Sequence, residues 1–335
     1  MTYRTPVSLL LDRDMKESTP DTTEAKKLTN CTTIFTLIQQ VSGFMRDVVR
    51  NKTKNIPMGL NFDITCNCNL RCEHCYYWAS IKALSIKKQE LTKKQWIEVF
   101  KHFSSLGVRN VSLTGGEPSL RMDIIAEAHK YFTFVQTATN GIIYIPKEIQ
   151  PNGLWLSIDG PEEIHNKIRR SPTCFQKLVE NYQDDRRVLV CSTITNSNWR
   201  NIDDIMKISQ SMNLKGIVFM MYSGTKDNPL LPTGKVHALI LKRLINIARE
   251  YPGYVLVTED MLHAYEDKQF IKECPFLGNK PSIMSFYANL TRKRCVMGDN
   301  VDCSTCSCAV PVASYVLRHK VLNFNNVLNV QRILC

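Results

Sequence analysis

Three cysteines in the run C-N-L-R-C-E-H-C constrain this chain more than any other feature of its sequence. Cys68, Cys72 and Cys75 follow the spacing C-x3-C-x2-C, which lets one short loop present three thiolates to one corner of an iron–sulfur cube. A 4Fe-4S cluster has four irons, and a redox cluster normally gives each of them a cysteine. A loop of three cysteines with no fourth ligand nearby leaves one iron open to a substrate or cofactor.

Zinc and disulfide bonds are the competing uses of these cysteines. A structural zinc site takes four protein ligands in two spaced pairs. Here Cys72 and Cys75 form one such pair, whereas Cys66 and Cys68 form a poor one. A disulfide framework is disfavoured, because 335 residues can bury a full core without covalent links and no secretory leader is predicted. The spacing therefore favours an iron–sulfur cluster.

A second motif follows a predicted strand at Asn110–Thr114. Gly115 and Gly116 let the backbone turn sharply and leave room for a ligand. Glu117 offers a carboxylate to an ammonium group, and Pro118 ends the strand. The cysteine loop followed by this G-G-E-P turn resembles the signature of radical S-adenosylmethionine (radical SAM) enzymes.

The resemblance implies a use for each motif. In that family the open iron chelates the methionine end of SAM, and an electron from the cluster cleaves SAM to a 5′-deoxyadenosyl radical. The G-G-E-P element binds the SAM amino group. Tyr76, directly after Cys75, takes the place of an aromatic residue that packs beside SAM in the family. Cys68, Cys72 and Cys75 are thus implied to be the catalytic cluster ligands.

From Pro57 onward, short β-rich runs alternate with helical periods. The predicted strands are Met58–Ile64, Asn110–Thr114, Phe134–Ala138, Leu154–Ile158, Val188–Ile194 and Gly216–Met221. The predicted helices lie near Lys93–Phe103, Asp123–Tyr131, Phe175–Tyr182, Ile202–Met212 and Val236–Arg249. This alternation argues for parallel βα units with right-handed crossovers. We expect an α/β fold, a partial (β/α)6 TIM-type barrel, which is also the core that the resemblance implies.

In such a barrel, functional groups lie where strands end at the carboxyl face. Asn140 follows the third predicted strand and resembles the Asn of the family's T-N-G turn. Ser157 and Asp159 end the fourth strand and resemble its S-x-D-G element, whose polar side chains approach the ribose and carboxylate of SAM. A purely local role stays open, because Asp-Gly after a strand is a turn signal in any protein.

A cationic side chain is expected shortly after this turn. His165 and Arg169 fit the family's D-G-x4-H-x3-R run. The resemblance implies that a guanidinium here holds the SAM carboxylate in a bidentate pair. Arg170 is an equally good candidate from the sequence.

Five further cysteines lie beyond the predicted barrel. They are Cys274, Cys295, Cys303, Cys306 and Cys308. Such a density of thiols predicts metal binding, and thiolates select iron–sulfur clusters or zinc. Zinc competes here, because a C-x2-C knuckle with outlying cysteines suits a tetrahedral site. The first cysteine loop favours a second 4Fe-4S cluster.

This segment resembles the auxiliary-cluster modules of the SPASM and twitch types found in radical SAM enzymes. Gly298-x4-Cys303 matches their G-x4-C fragment, whereas Cys274 lies further upstream than their pattern allows. A full SPASM set also holds more cysteines than the five grouped here. We therefore expect one auxiliary cluster in a shortened module. Its expected ligands are Cys295, Cys303 and Cys306, with Cys274 or Cys308 as the fourth.

These patterns divide the chain into a flexible tail at 1–31, an amphipathic helix at 32–56, the barrel at 57–250 and the cysteine-rich module at 251–335. The helix is predicted from apolar residues at three- and four-residue steps. Two interpretations stay open for it: packing on the barrel, or peripheral contact of its basic side with an anionic membrane. No stretch reaches the roughly 18–20 apolar residues of a membrane span. We expect a cytoplasmic protein.

The formal charge of +12, from 43 basic and 31 acidic residues, fits an anionic substrate, RNA or an acidic membrane surface and selects none of them. Nucleic acid is disfavoured, because no RNA-recognition motif is present. The resemblance implies an oxidoreductase-type enzyme that takes electrons from a low-potential flavodoxin or ferredoxin. We expect its substrate to be a small anionic metabolite of sugar or nucleoside type. The alternatives are a peptide- or lipid-modifying radical SAM enzyme, and an iron–sulfur scaffold or RNA-binding maturation protein.

Overall fold

The computed structural model of the protein describes residues 46–47, 49–78, 89–320 and 323–334. The expected tail at 1–31 and most of the expected helix at 32–56 lie outside the described residues. No helix within the described part of the chain is long and apolar enough to cross a membrane.

The end of the N-terminal helix is described, and its buried positions are polar. Val49 is 55% exposed. Asp47 is buried and accepts a hydrogen bond from Arg109 at 2.7 Å. Asn51 donates its side-chain amide to the carbonyl of Ile56 at 3.1 Å. This end of the helix is therefore tied to the barrel by hydrogen bonds and an ion pair.

The strands of the described chain form one sheet. In chain order they are β1 (Gly59–Thr65), β2 (Asn110–Gly115), β3 (Phe134–Thr139), β4 (Leu154–Ser157), β5 (Val188–Ile194), β6 (Gly216–Met221), β7 (Ile283–Phe286) and β8 (Arg292–Lys293). The sheet order is β6-β5-β4-β3-β2-β1-β7-β8, and every pair is parallel except β7 with β8. The run from β1 to β6 confirms the expected α/β fold built on a partial barrel.

Helices connect and follow these strands. They are α1 (Lys93–Ser105), α2 (Met122–Ala128), α3 (Glu162–Arg169), α4 (Cys174–Tyr182), α5 (Ile202–Ser211), α6 (Gly234–Glu250), α7 (Glu259–Asp267), α8 (Ala309–His319) and α9 (Phe324–Leu334). A capping box fixes the start of α1, because Thr92 and Gln95 each accept the other's backbone amide. Trp96 of α1 packs edge-on against Phe62 of β1, with ring centres 5.3 Å apart. Helix α1 thus covers the outer face of β1.

Alternate residues of β1 point to opposite faces of the sheet. Phe62 and Ile64 belong to the apolar core, whereas Asn61 and Asp63 are buried polar residues. Asn61 donates its side-chain amide to the hydroxyl of Thr114 on β2 at 2.8 Å. The inner face of the first two strands is therefore lined by polar side chains.

Strands β7 and β8 come from the C-terminal segment and were not predicted from the sequence. Because β7 pairs with β1, the sheet contains strands from both of the expected segments, 57–250 and 251–335. At the opposite edge, Thr305 donates its hydroxyl to the carbonyl of Gly224, just after β6, at 2.8 Å. The C-terminal segment contacts both edges of the six-stranded sheet and closes its open side.

Candidate functional site

The cysteine loop lies at the carboxyl end of β1. Cys68, Cys72 and Cys75 are all partly exposed. Burial raises the pKa of the Cys68 thiol to about 12, although the Leu70 amide opposes the shift, and the negative charges of Cys72 and Cys75 raise it further. Burial also raises the pKa of Cys72 and of Cys75. The three thiols therefore need a nearby cation to become thiolates together. An iron cluster satisfies that need.

Two side chains outside the motif hold the start of this loop. Glu90 accepts hydrogen bonds from the Thr65 hydroxyl at 3.1 Å and from the Cys66 amide. The Tyr77 hydroxyl donates to the carbonyl of Thr65 at 2.9 Å. Sequence reasoning missed both, because neither residue belongs to a repeated spacing or a strand end.

Gly115 and Gly116 press against the backbone of the cysteine loop. Gly115 has a φ of 122°, and a Cβ there would lie 2.5 Å from the carbonyl oxygen of Thr65. A Cβ on Gly116 would collide with the carbonyl of Asn67. The amides of Gly116 and Glu117 donate to these same two carbonyls at 2.9 and 2.8 Å. The glycines are needed because the end of β2 approaches the loop so closely.

Glu117 joins the ends of β2 and β3. Its carboxylate accepts the amide of Ser119 at 3.1 Å, the hydroxyl of Thr139 at 2.7 Å and the amide of Asn140 at 2.8 Å. Burial raises the pKa of Glu117, although these donors oppose the shift. Asn140 donates its side-chain amide to Asn69 in the cysteine loop at 2.7 Å. Glu117 and Asn140 thus connect three strand ends.

Asp159 and Arg169 form a buried ion pair beside Cys72. Nε and Nη2 of Arg169 both lie 2.7 Å from Oδ2 of Asp159. Nη1 of the same guanidinium lies 3.9 Å from the sulfur of Cys72. Burial opposes the charge on Asp159, but Arg169 and then His74 hold the pKa of this carboxyl below its usual value. Asp159 therefore holds the Arg169 guanidinium with its Nη1 group toward the cysteine loop.

The structure separates the two arginines that the sequence left equivalent. Arg169 faces the cysteine loop, whereas Arg170 is exposed at the end of α3 with a φ of 54°. His165 accepts the Asp159 amide on Nδ1 at 3.2 Å. Burial and the positive charge of Arg169 lower the pKa of His165 to about 3. His165 is therefore a neutral residue that orients the turn after β4.

Two other expected cofactor residues lie at strand ends. Pro118 is buried and begins a 3₁₀ turn, Pro118–Arg121, after β2. Ser157 is the last residue of β4 and pairs with Cys191 of β5. Both lie at the carboxyl edge of the sheet, on the same side as the cysteine loop.

Tyr76 lies near the C-terminal segment. Burial raises its pKa well above the usual value, and the negative charge of Asp63 adds to the shift. Nζ of Lys293 lies 5.9 Å from the centre of the Tyr76 ring. The aromatic residue expected beside SAM is therefore also close to the C-terminal segment.

The C-terminal cysteines surround one cavity, which Phe270 and Pro311 also line. Its cysteines are Cys274, Cys295, Cys303, Cys306 and Cys308. Burial raises the pKa of Cys306 to about 12, the Cys308 amide opposes the shift, and the negative charges of Cys274 and Cys295 raise it further. Nowhere in the described ranges do three His, Cys, Asp or Glu side chains meet closely enough to hold one metal ion. The thiolates of a cluster bind different irons and need not converge on one point.

A buried ion pair that sequence reasoning missed joins the two cysteine regions. Nζ of Lys293 lies 2.8 Å from each carboxylate oxygen of Asp63, and neither side chain is exposed. Asp63 also accepts the Thr114 hydroxyl at 2.9 Å. Asp63 lies on the strand that enters the cysteine loop, and Lys293 lies two residues before Cys295. The only signal in the sequence was a charged residue within an apolar strand.

Two known proteins are similar to parts of this chain. Sporulation killing factor maturation protein SkfB of Bacillus subtilis is 27% identical over 179 residues, which cover 49% of this chain and 42% of SkfB. The S-adenosylmethionine-dependent nucleotide dehydratase of Flammeovirga pacifica is 23% identical over 235 residues, which cover 63% of this chain and 79% of the dehydratase. Less than half of SkfB is therefore represented, and the two relatives differ in what they act on.

Among solved structures, SuiB of Streptococcus suis bound to S-adenosylmethionine superimposes with a TM-score of 0.55 at 16% identity, over 75% of this chain and 64% of SuiB. At this identity the likeness shows the fold alone. Residues 62–195 match the Radical SAM superfamily, and that range contains the cysteine loop, the G-G-E-P turn and the Asp159–Arg169 pair. This part of the chain is therefore similar to the radical SAM superfamily of enzymes.

Proposed function

We propose that this enzyme cleaves SAM reductively at a 4Fe-4S cluster held by Cys68, Cys72 and Cys75, and acts on a small anionic metabolite. The observation that carries the proposal is the placement of these three cysteines at the carboxyl end of β1, with the Arg169 guanidinium 3.9 Å from one sulfur. An N–H donor beside a sulfur is a usual feature around iron–sulfur clusters and raises their reduction potential. The donor set and its surroundings fit the cluster.

When bound, the cluster supplies the electron that converts SAM to methionine and a 5′-deoxyadenosyl radical, which abstracts a hydrogen atom from the substrate. In our proposal the Arg169 guanidinium attracts the SAM carboxylate while Asp159 fixes its orientation. Glu117 and Asn140 keep the strand ends at a constant spacing from the cysteine loop. Gly115 and Gly116 let the end of β2 approach the cysteine loop closely, which sets the depth of the SAM pocket. Tyr76 forms the wall beside the cofactor.

We also propose an auxiliary 4Fe-4S cluster in the C-terminal cavity. Cys295, Cys303 and Cys306 are its ligands, with Cys274 or Cys308 as the fourth. Nη2 of Arg294 lies 3.1 Å from the sulfur of Cys303, an arrangement that resembles Arg169 beside Cys72. A charged donor next to each sulfur supports thiolates in both places. Zinc is the competing metal, and metal analysis of the purified protein decides between them.

Net charge and similarity to a relative both support an anionic substrate. The charge of +12 favours an anionic substrate, and the similarity to a nucleotide dehydratase over 63% of this chain favours a nucleotide. The second candidate is modification of a peptide or protein, which the similarity to a killing factor maturation protein favours. An assay with both substrate classes separates the two candidates.

The test is formation of 5′-deoxyadenosine by anaerobically reconstituted protein with dithionite as reductant. We expect the wild type to make it and a Cys68/Cys72/Cys75→Ala variant to make none. Nucleoside triphosphates should increase its formation more than peptides do. Continued formation by the triple variant would overturn the cluster assignment, and stimulation by peptides alone would favour the second candidate.

A further inference from the structure

A groove of about 620 Å³ opens at the amino end of the barrel. Gly59 and Asn110, the first residues of β1 and β2, line its floor. The cysteine loop lies at the opposite, carboxyl end of the same strands. The groove is therefore separate from the proposed SAM site and leaves that site free for substrate.

The walls of the groove are basic. Lys52, Lys272, Lys280 and Arg318 line it, and all four are exposed. Glu273 is the one acidic residue among the described residues that line it. Its carboxylate is occupied by Arg318 at 3.3 Å and by His319 at 2.9 Å. The three lysines therefore leave a positive surface for an acidic partner.

The groove shares a wall with the cavity of the C-terminal cysteines. Cys274 and Leu277 line both spaces, so a partner in the groove would be one side chain away from an auxiliary cluster. Beyond the cysteine cavity, Nζ of Lys293, two residues before Cys295, lies 5.9 Å from the ring centre of Tyr76, which follows Cys75 in the chain. From the amino face inward, the order is therefore the groove, the cavity of the C-terminal cysteines, Tyr76 and the cysteine loop.

We propose that this groove docks an acidic one-electron carrier protein of the flavodoxin or ferredoxin type, and that electrons enter the molecule through the auxiliary cluster. The inference rests on the proposed function. One electron leaves the reduced carrier and reduces the oxidised auxiliary cluster, and no bond is made or broken. A carrier is favoured over an anionic membrane because the basic residues surround a concave groove next to a redox centre, and a flat bilayer cannot enter it.

The test compares two charge-matched double variants of the reconstituted holoenzyme. Lys272→Glu/Lys280→Glu reverses two charges of the groove. Lys235→Glu/Lys242→Glu reverses two exposed charges on α6, outside the groove. The probe is a purified acidic flavodoxin in its hydroquinone form. The rate at which it reduces the clusters is measured by stopped flow, from the bleaching of the cluster absorbance. Binding of oxidised flavodoxin, measured by calorimetry, gives a readout that needs no turnover.

We expect the groove variant to lose about tenfold or more in bimolecular reduction rate, since steering by charge contributes roughly 10–10³ to association. The control variant should keep the wild-type rate, and added salt should slow the wild type most. Dithionite, a small reductant, should reduce all three proteins equally. Equal rates for the two variants would overturn the docking surface. The same conclusion would follow if the groove variant lost binding to phosphatidylserine vesicles while its rate of reduction by flavodoxin stayed unchanged.

Failure of the two proposals would look different. If dithionite supports 5′-deoxyadenosine formation but the rate of reduction by flavodoxin does not depend on the groove charges, the docking surface is wrong and the proposed function stands. If flavodoxin reduction depends on the groove but no reductant yields 5′-deoxyadenosine, the docking surface stands and the proposed function is wrong.

Discussion

The two cysteine regions of this molecule are built in opposite ways. Cys68, Cys72 and Cys75 come from one short loop, and backbone contacts with the G-G-E-P turn hold that loop in place. The C-terminal cysteines are spread from Cys274 to Cys308 and line one cavity, although β7 and β8 separate Cys274 from the other four in the chain. A local site can be identified from spacing, whereas a dispersed site depends on the fold that gathers it.

The contacts that secure the regions differ in the same way. The N-terminal loop is fixed by hydrogen bonds to strand ends within the barrel. The C-terminal segment is held through long-range contacts, of which the Asp63–Lys293 pair is buried and the Lys226–Asp302 pair, at 3.6 Å, is exposed. We expect the first region to tolerate damage to the second, but the second to depend on the buried pair.

The largest effect is expected from the loop itself. Cys72→Ala removes one of the three proposed cluster ligands and should abolish 5′-deoxyadenosine formation while the fold persists. Of about eight irons per chain, about four should remain, since each 4Fe-4S cluster carries four. Iron analysis and circular dichroism measure both outcomes.

The matched control for that variant is Cys306→Ala. It should also lower iron to about four per chain, yet keep measurable SAM cleavage with dithionite. If Cys306→Ala abolishes cleavage as completely as Cys72→Ala does, the two regions are one functional unit and the contrast between them is lost.

The next largest effect is expected from Lys293→Met. Removing one partner of a buried ion pair typically costs about 3–5 kcal/mol, because the other charge is left without compensation. Denaturant unfolding should show this loss, and iron should fall by about the content of one cluster because Cys295 is no longer positioned.

A double variant, Asp63→Leu/Lys293→Met, separates stability from positioning. Replacing a buried pair with apolar residues often restores stability, so the double variant should unfold near the wild-type midpoint. Recovery of stability without recovery of the auxiliary iron would show that the pair positions Cys295. Full recovery of iron would mean that the pair contributes stability alone.

The sequence predicted much of the barrel and little of what joins its parts. Strands β5 and β6 have the predicted bounds, and β1 is shifted by one residue at each end, because apolar runs and turn residues are local signals. The partners Asp63 and Lys293 are 230 residues apart, and no local pattern links them. Arg169 and Arg170 were equivalent in spacing, and only the left-handed backbone at Arg170 turns one of them outward.

A smaller effect is expected from Glu117→Gln. The amide keeps the shape of the carboxylate, but its NH₂ group must face donors, since Ser119, Thr139 and Asn140 all donate to Glu117. The unmatched contacts should cost about 1–3 kcal/mol in unfolding free energy and weaken SAM binding. Because these contacts lie within the barrel, iron in the C-terminal cavity should not change. A loss of auxiliary iron in this variant would contradict the independence of the two regions.

The smallest effect is expected from Lys226→Ala, which removes the exposed contact between the loop after β6 and Asp302. Exposed ion pairs contribute little, because water and salt screen them, so the unfolding midpoint and iron content should match the wild type. The partly buried hydrogen bond of Thr305 to Gly224 remains to hold the same edge. If Lys226→Ala instead releases auxiliary iron as Lys293→Met is expected to do, surface charge holds the C-terminal segment in place. The gathering of the dispersed cysteines would then depend on ionic strength, and titration with salt would release the same iron from the wild type.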